Sequence, residues 1–179
     1  KLNEFLGRAV ADIGAAWSAN MVLLGDKLGL YKAMAKLGAV TPAELAEVTK
    51  TAERYIREWL GNQAAGGYVT YDAASGRYTL PEEQAFALAD EESPCFLPGA
   101  FQGIAAAFAA NPKIEQRFKT GKGLGWDQHD PQLFVGTERF FRPNYVGNLV
   151  SSWIPALDGV EAKLEKGRGP VATVLVQEG

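Results

Sequence analysis

The chain has one histidine, His129, in the run WDQHDP, with Trp126, Asp127 and Asp130 close by. One imidazole among carboxylates is a poor metal site, because tetrahedral metal sites draw on several His or Cys ligands and no second His or nearby Cys exists. A loop histidine more simply caps or packs. The functional alternative is that Trp126 and His129, in a loop between apolar helices, line a ligand pocket. The one cysteine, Cys95, follows Ser93-Pro94 and precedes Phe96, with no basic neighbour to favour its thiolate. No Ser-His-Asp or Cys-His arrangement can be assembled. The glycine-rich TGKGLGW does not follow a strand and does not open a helix with Lys-Ser/Thr, so it is not a phosphate-binding loop. The pairs Glu82-Glu83 and Glu91-Glu92 read as solvated acids at helix ends. The residues therefore favour holding a ligand over transforming one.

Composition sets the frame for these residues. The chain has 179 residues, 47% hydrophobic and 22% charged, with a formal net charge of −3. That is enough for one domain with an appendage or two small ones. A single cysteine cannot form an internal disulfide, which points to a reducing compartment. No apolar run is long enough to span a bilayer and no signal-peptide core opens the chain, so a soluble cytoplasmic protein is expected.

The elements that must position these residues are mostly helical. Over residues 1–37, Leu2, Phe5, Leu6, Val10, Ile13, Trp17, Met21, Leu24 and Leu28 recur at spacings mostly of three and four. Gly25-Asp26 is expected to divide the run into two helices. Its polar side is thin and rich in alanine, so this segment needs more than one neighbour: a core, or a second copy in a homodimer. Residues 38–80 then read as a winged helix-turn-helix. Thr41-Pro42-Ala43-Glu44 is a capping box with proline at the first helical position. Thr51 is expected to cap the next helix, which Gly66-Gly67 ends. YVTY and RYTL flank the turn DAASG as a hairpin wing. Residues 81–166 form a helical segment: PEEQAFALA, GAFQGIAAAFAAN, PKIEQRFK, a breaker-rich loop over 120–131, a helix over 132–157 interrupted at Pro143, and VEAKLEKG. Residues 167–179, GRGPVATVLVQEG, end in a strand-like VATVLV. The fold class is mainly α with a small β-hairpin wing, a helical lid and this terminal strand.

A winged helix raises the question of DNA. From Thr41 to Leu80 the bases are Lys50, Arg54, Arg57 and Arg77, against Glu44, Glu47, Glu53, Glu58 and Asp72. The second helix of the pair alternates Glu53/Arg54 and Arg57/Glu58, which neutralises its face. Phosphate binding requires uncompensated cations, so nucleic acid is an improbable partner. Trp59 in that helix reads as core.

LGDKLGLYKAMAKLG, TPAELAEVTKTAERYIREWLGNQAAGGYVTYDAASGRYTL and FFRPNYVGNLVSSWIPALDGVEAKLEKG together resemble the N-terminal half of a bacterial class I S-adenosylmethionine-dependent methyltransferase with a winged-helix dimerisation domain. The resemblance covers residues 1–168. It implies a homodimeric segment over 1–37, a lid over 81–166 that encloses a small methyl acceptor, and S-adenosylmethionine as the cofactor of the full-length family. It also nominates Phe140, Phe141 and Tyr145 as apolar walls with a phenol and Asn148 as a polar neighbour, with Trp126 and His129 closing the loop side. The family's next motif is a strand running into D-x-G-x-G-x-G, whose glycines let the backbone approach the cofactor. VATVLVQEG has Thr173, Leu175 and Val176 where the acid and glycines are expected. The expectation is therefore a chain that stops where the catalytic domain begins, binds no cofactor alone and is not catalytic as it stands, with its catalytic residues unknown. Two alternatives stay open: a non-catalytic module for a small ligand or partner, and a winged-helix transcriptional regulator.

Overall fold

The computed structural model describes residues 1–167. The terminal strand expected over 167–179 therefore falls, but for Gly167, outside the described residues. Two compact units divide the chain, residues 1–140 and the residues from 141 onward, with the boundary inside a helix.

The first unit is built on α1 (Leu2–Lys27), α2 (Leu30–Leu37), α3 (Pro42–Thr49) and α4 (Glu53–Ala65). α1 runs through Gly25-Asp26, where the sequence suggested a break. The chain turns instead at Leu28-Gly29, where Gly29 adopts φ 68°. Gly25 is inside the helix for a packing reason: a Cβ there would lie 2.5 Å from the Trp59 indole and 2.8 Å from the Tyr31 ring. Its missing side chain is space for two aromatics, and the helical cost of glycine, about 1 kcal/mol, is offset by their burial. Trp59 is core, as expected, and its indole N–H donates to the Met21 carbonyl at 2.9 Å. Tyr31 meets it edge-on with ring centroids 5.2 Å apart and donates its hydroxyl to Gln63 Oε1. Val22, Leu30, Met34, Leu45, Ile56 and Leu60 complete a closed core beneath them.

The capping box forms as read. The Glu44 N–H donates to Thr41 Oγ1 at 3.3 Å, and Glu44 Oε2 accepts from the Thr41 N–H at 2.7 Å. Thr51 does not cap α4. Ala52 occupies that position, and the Thr51 hydroxyl instead pairs with Thr49 Oγ1 at 2.8 Å. The hairpin pairs β1 (Thr70–Asp72) with β2 (Arg77–Thr79), antiparallel, and Val40 joins it through two 2.8 Å bonds with Tyr78. Helix pair and hairpin make the winged helix-turn-helix expected here.

α5 (Glu82–Leu88), α6 (Pro98–Ala109) and α7 (Asn111–Thr120) follow, with α6 lying along α1. After a loop with one 3-10 turn at Trp126–Gln128 comes α8 (Pro131–Asn148), the helix that carries the unit boundary. Pro143 does not interrupt α8, contrary to expectation. One proline removes one backbone donor, and here the helix continues past it. The departure comes later, as a π-helical stretch over Leu149–Trp153, before α9 (Val160–Glu165).

Candidate functional site

In the first unit, α1 and α6 enclose an apolar groove of about 360 Å³. Its walls are Trp17, Asn20 and Leu23 from α1 and Phe101, Ile104 and Phe108 from α6. Alanines between the large residues on both helices leave the space open. Asn20 is the one polar residue in the lining.

The same unit seats the start of α8. α6 and α8 cross with their backbones almost touching: a Cβ on Gly99 would lie 2.5 Å from the Gly136 carbonyl oxygen, and one on Gly136 2.7 Å from that of Gly99. Arg139 fixes the crossing. Its guanidinium grips Asp26 at the end of α1 with two parallel bonds, Nη1 to Oδ2 at 2.7 Å and Nη2 to Oδ1 at 2.9 Å. Nη1 also donates to Gln102 Oε1 at 3.1 Å, Glu91 lies 3.5 Å away, and the cation sits 5.3 Å from the Phe96 ring centroid. The hydrogen bond to Asp26, above all, holds the Arg139 proton more tightly than usual. Glu91 in turn accepts from Lys32, and that bond chiefly lowers its pKa.

Trp126 and His129 have ring centroids 5.7 Å apart, and Phe134 from α8 meets Trp126 edge-on at 5.1 Å. The loop is tied to α7: Lys113 donates to the Gln128 carbonyl at 2.5 Å and Arg117 to the Gln128 side chain at 3.2 Å. Asp130 Oδ1 accepts the Gln132 N–H at 2.8 Å at the start of α8. Among the described residues no group of three or more His, Cys, Asp or Glu is placed to hold a metal ion.

Phe140 is the last residue of the first unit. Phe141, Tyr145 and Asn148 belong to the second. There Tyr145 packs edge-on against Trp153, ring centroids 5.3 Å apart at 83°. Asn148 donates to the Asn144 carbonyl at 2.9 Å and to its side-chain oxygen at 2.7 Å. Trp153 lies in the π-helical stretch, where the Ile154 N–H reaches back five residues to the Leu149 carbonyl. Such widened turns recur at functional sites. Sequence reasoning did not single out Trp153 as a site residue; its place eight residues after Tyr145, two turns on, was the available signal. It also missed the α1/α6 groove, because Trp17 and Phe101 are only apolar periodicity until the two helices are laid side by side.

The α1/α6 groove of the first unit has aromatic and aliphatic walls with one polar residue, Asn20, the character of small-molecule sites. Among the described residues the only sheet is the two-stranded wing.

Residues 16–90 match the Rv2258c-like winged helix-turn-helix domain. Among solved structures, the fold matches PigF with SAH at TM-score 0.61 and 17% identity, over 85% of this chain and 48% of that one. It matches the mitomycin 7-O-methyltransferase MmcR at TM-score 0.61 and 21% identity, over 82% and 46%. The S-adenosylmethionine-dependent methyltransferase SibL, in its apo form, matches at TM-score 0.56 and 16% identity, over 82% and 47%. The chain thus spans about half the length of these structures, and the matched half is their N-terminal portion. At such identities the likeness establishes the fold, which is the one the sequence resemblance implied. No curated protein matches the sequence.

Proposed function

We propose that these residues are the pairing and acceptor-enclosing part of an S-adenosylmethionine-dependent methyltransferase that acts on a small apolar molecule in the cytoplasm. The observation that carries this reading is the fold likeness to the N-terminal portions of methyltransferase chains. The aromatic walls support it. In the second unit Phe141 and Tyr145 lie on α8 and Trp153 braces Tyr145; in the first, Trp126 lies near His129. When bound, the cofactor would supply an electrophilic methyl group. The work of the present residues is to bind the acceptor, orient it and exclude water. The methyl donor's site is assigned to sequence beyond these residues, so this chain alone is a non-catalytic module.

A regulator reading gains little support. Arg57 is paired with Glu53 at 2.5 Å and Arg77 with Glu44 at 2.7 Å, so two of the four cations of the winged helix are already neutralised. Among the described residues no helix is long and apolar enough to cross a membrane.

The test is methyl transfer by the native polypeptide that carries this sequence, given labelled cofactor and a small-molecule extract. Label should enter an apolar small molecule. Tyr145→Ala and Phe141→Ala should each raise the acceptor KM at least tenfold and leave cofactor affinity unchanged. Label appearing only in nucleic acid or protein would overturn the proposal.

A further inference from the structure

A second cavity of the first unit, about 160 Å³ in volume, lies between the end of α1, α6 and the start of α8. At roughly 30 Å³ per water-sized group it has room for about five such groups. Its apolar lining is small, with Leu23 from α1 and Ala106 and Ala109 from α6. Lys27 in the last turn of α1 lines it too, with Asp130 and Gln132 where α8 begins. Opposite charges therefore border one small space. Among the described residues no ion pair joins Lys27 to Asp130, and the Lys27 ammonium has no hydrogen-bond partner.

The Gln132 amide is oriented from within the fold. Arg139 can only donate hydrogen bonds, so Gln102, 6% exposed, turns its oxygen towards Arg139 at 3.1 Å. The Gln102 NH2 group then donates to Gln132 Oε1 at 2.7 Å. The NH2 group of Gln132 is left over as a donor. Turning Gln132 over would set two NH2 groups face to face and strand a buried donor. The Asp26–Arg139 pair thus fixes, through Gln102, which end of Gln132 is free. Asp130 is fixed as well: its Oδ1 accepts the Gln132 backbone N–H at 2.8 Å, which leaves Oδ2 as a second acceptor.

Two of these residues also have local roles. Lys27 suits the C-terminal end of a helix dipole, and Asp130 holds the first turn of α8. Neither role uses Asp130 Oδ2, the Lys27 hydrogens or the Gln132 NH2 group, and all three side chains line one cavity. We propose that this cavity binds a free α-amino acid with a small apolar side chain, its carboxylate on Lys27 and the Gln132 amide and its ammonium on Asp130. Such a molecule carries both charges on one carbon, so a single ligand answers both sides of the space. A lone anion would face the Asp130 carboxylate and a lone cation the Lys27 ammonium, and like charges at that range repel. Ala106 and Ala109 leave room for a methyl-sized side chain and none for an indole. The inference does not rest on the methyltransferase reading.

The experiment is calorimetric titration of the native polypeptide that carries this sequence with L-alanine, propionate, ethylamine and L-tryptophan, with far-UV circular dichroism on each variant. L-alanine should bind with a millimolar dissociation constant or tighter, and the other three at least tenfold more weakly. Lys27→Met keeps the aliphatic stem, and Asp130→Asn keeps an oxygen for the first turn of α8. Each should hold helix content and weaken L-alanine at least tenfold. Ala109→Leu, at an exposed position on α6, should fill the cavity and abolish binding. Lys36→Met, an exposed cation on α2, should leave it unchanged. No saturable heat from L-alanine at tens of millimolar would overturn the proposal. So would propionate binding as tightly as L-alanine, since the site would then take an anion alone. L-alanine binding that Lys27→Met, Asp130→Asn and Ala109→Leu all leave intact would also overturn it, because the ligand would sit elsewhere.

Discussion

Replacing Arg139 with methionine leaves the Asp26 carboxylate, 7% exposed, without its two parallel hydrogen bonds. Removing one partner of a fully buried pair costs about 3–5 kcal/mol. Arg139 is 24% exposed, so water screens part of the attraction and relieves part of the loss, which brings the expected cost to about 2–3 kcal/mol. For a chain of this size that corresponds to a fall in Tm of about 5–10 °C. Removing both charges, as in Asp26→Leu with Arg139→Met, strands no carboxylate and should cost less than the sum of the single variants by about 2 kcal/mol. Equilibrium urea unfolding followed by circular dichroism measures all four corners of the cycle. A single-variant cost below 0.5 kcal/mol, or strictly additive losses, would refute the claim that this pair locks the start of α8 to α1.

Thr41→Ala should cost about 1 kcal/mol in the same unfolding assay, since it removes the side-chain acceptor of a complete capping box. Glu44 has a pKa below its usual value, first through the Thr41 backbone bond and then through Arg77. Its contribution is present above the ordinary carboxylate range and lost as pH falls through the lowered value; a Glu44→Gln variant should therefore show a flatter decline in stability below about pH 4.5. Duplex DNA should not shift at submicromolar protein in physiological salt; a shift abolished by Arg54→Ala and Arg57→Ala would contradict the charge argument.

The winged helix was legible because its signals are local. Thr41, Pro42 and Glu44 complete a cap within four residues, and Gly66-Gly67 closes α4 where the apolar spacing ends. Misreadings arose where a distant partner decides. Gly25 looks like a helix break until Trp59 and Tyr31 occupy the place of its side chain. Thr51 looks like a cap until the Thr49 hydroxyl takes it. Pro143 should stop a helix by local rules, but α8 continues and the irregularity emerges later, at Leu149–Trp153. The Arg139–Asp26 clamp was not legible, because 113 residues separate its partners.

The central claim is that this chain supplies pairing and enclosure and leaves donor chemistry to other sequence. Calorimetric titration of the 179-residue chain with S-adenosylmethionine at millimolar concentration tests it most directly. The account predicts no saturable heat, because VATVLVQEG has Thr173, Leu175 and Val176 where the family's acid and glycines are expected. A saturable isotherm with a micromolar dissociation constant would contradict it and place a donor site within these residues.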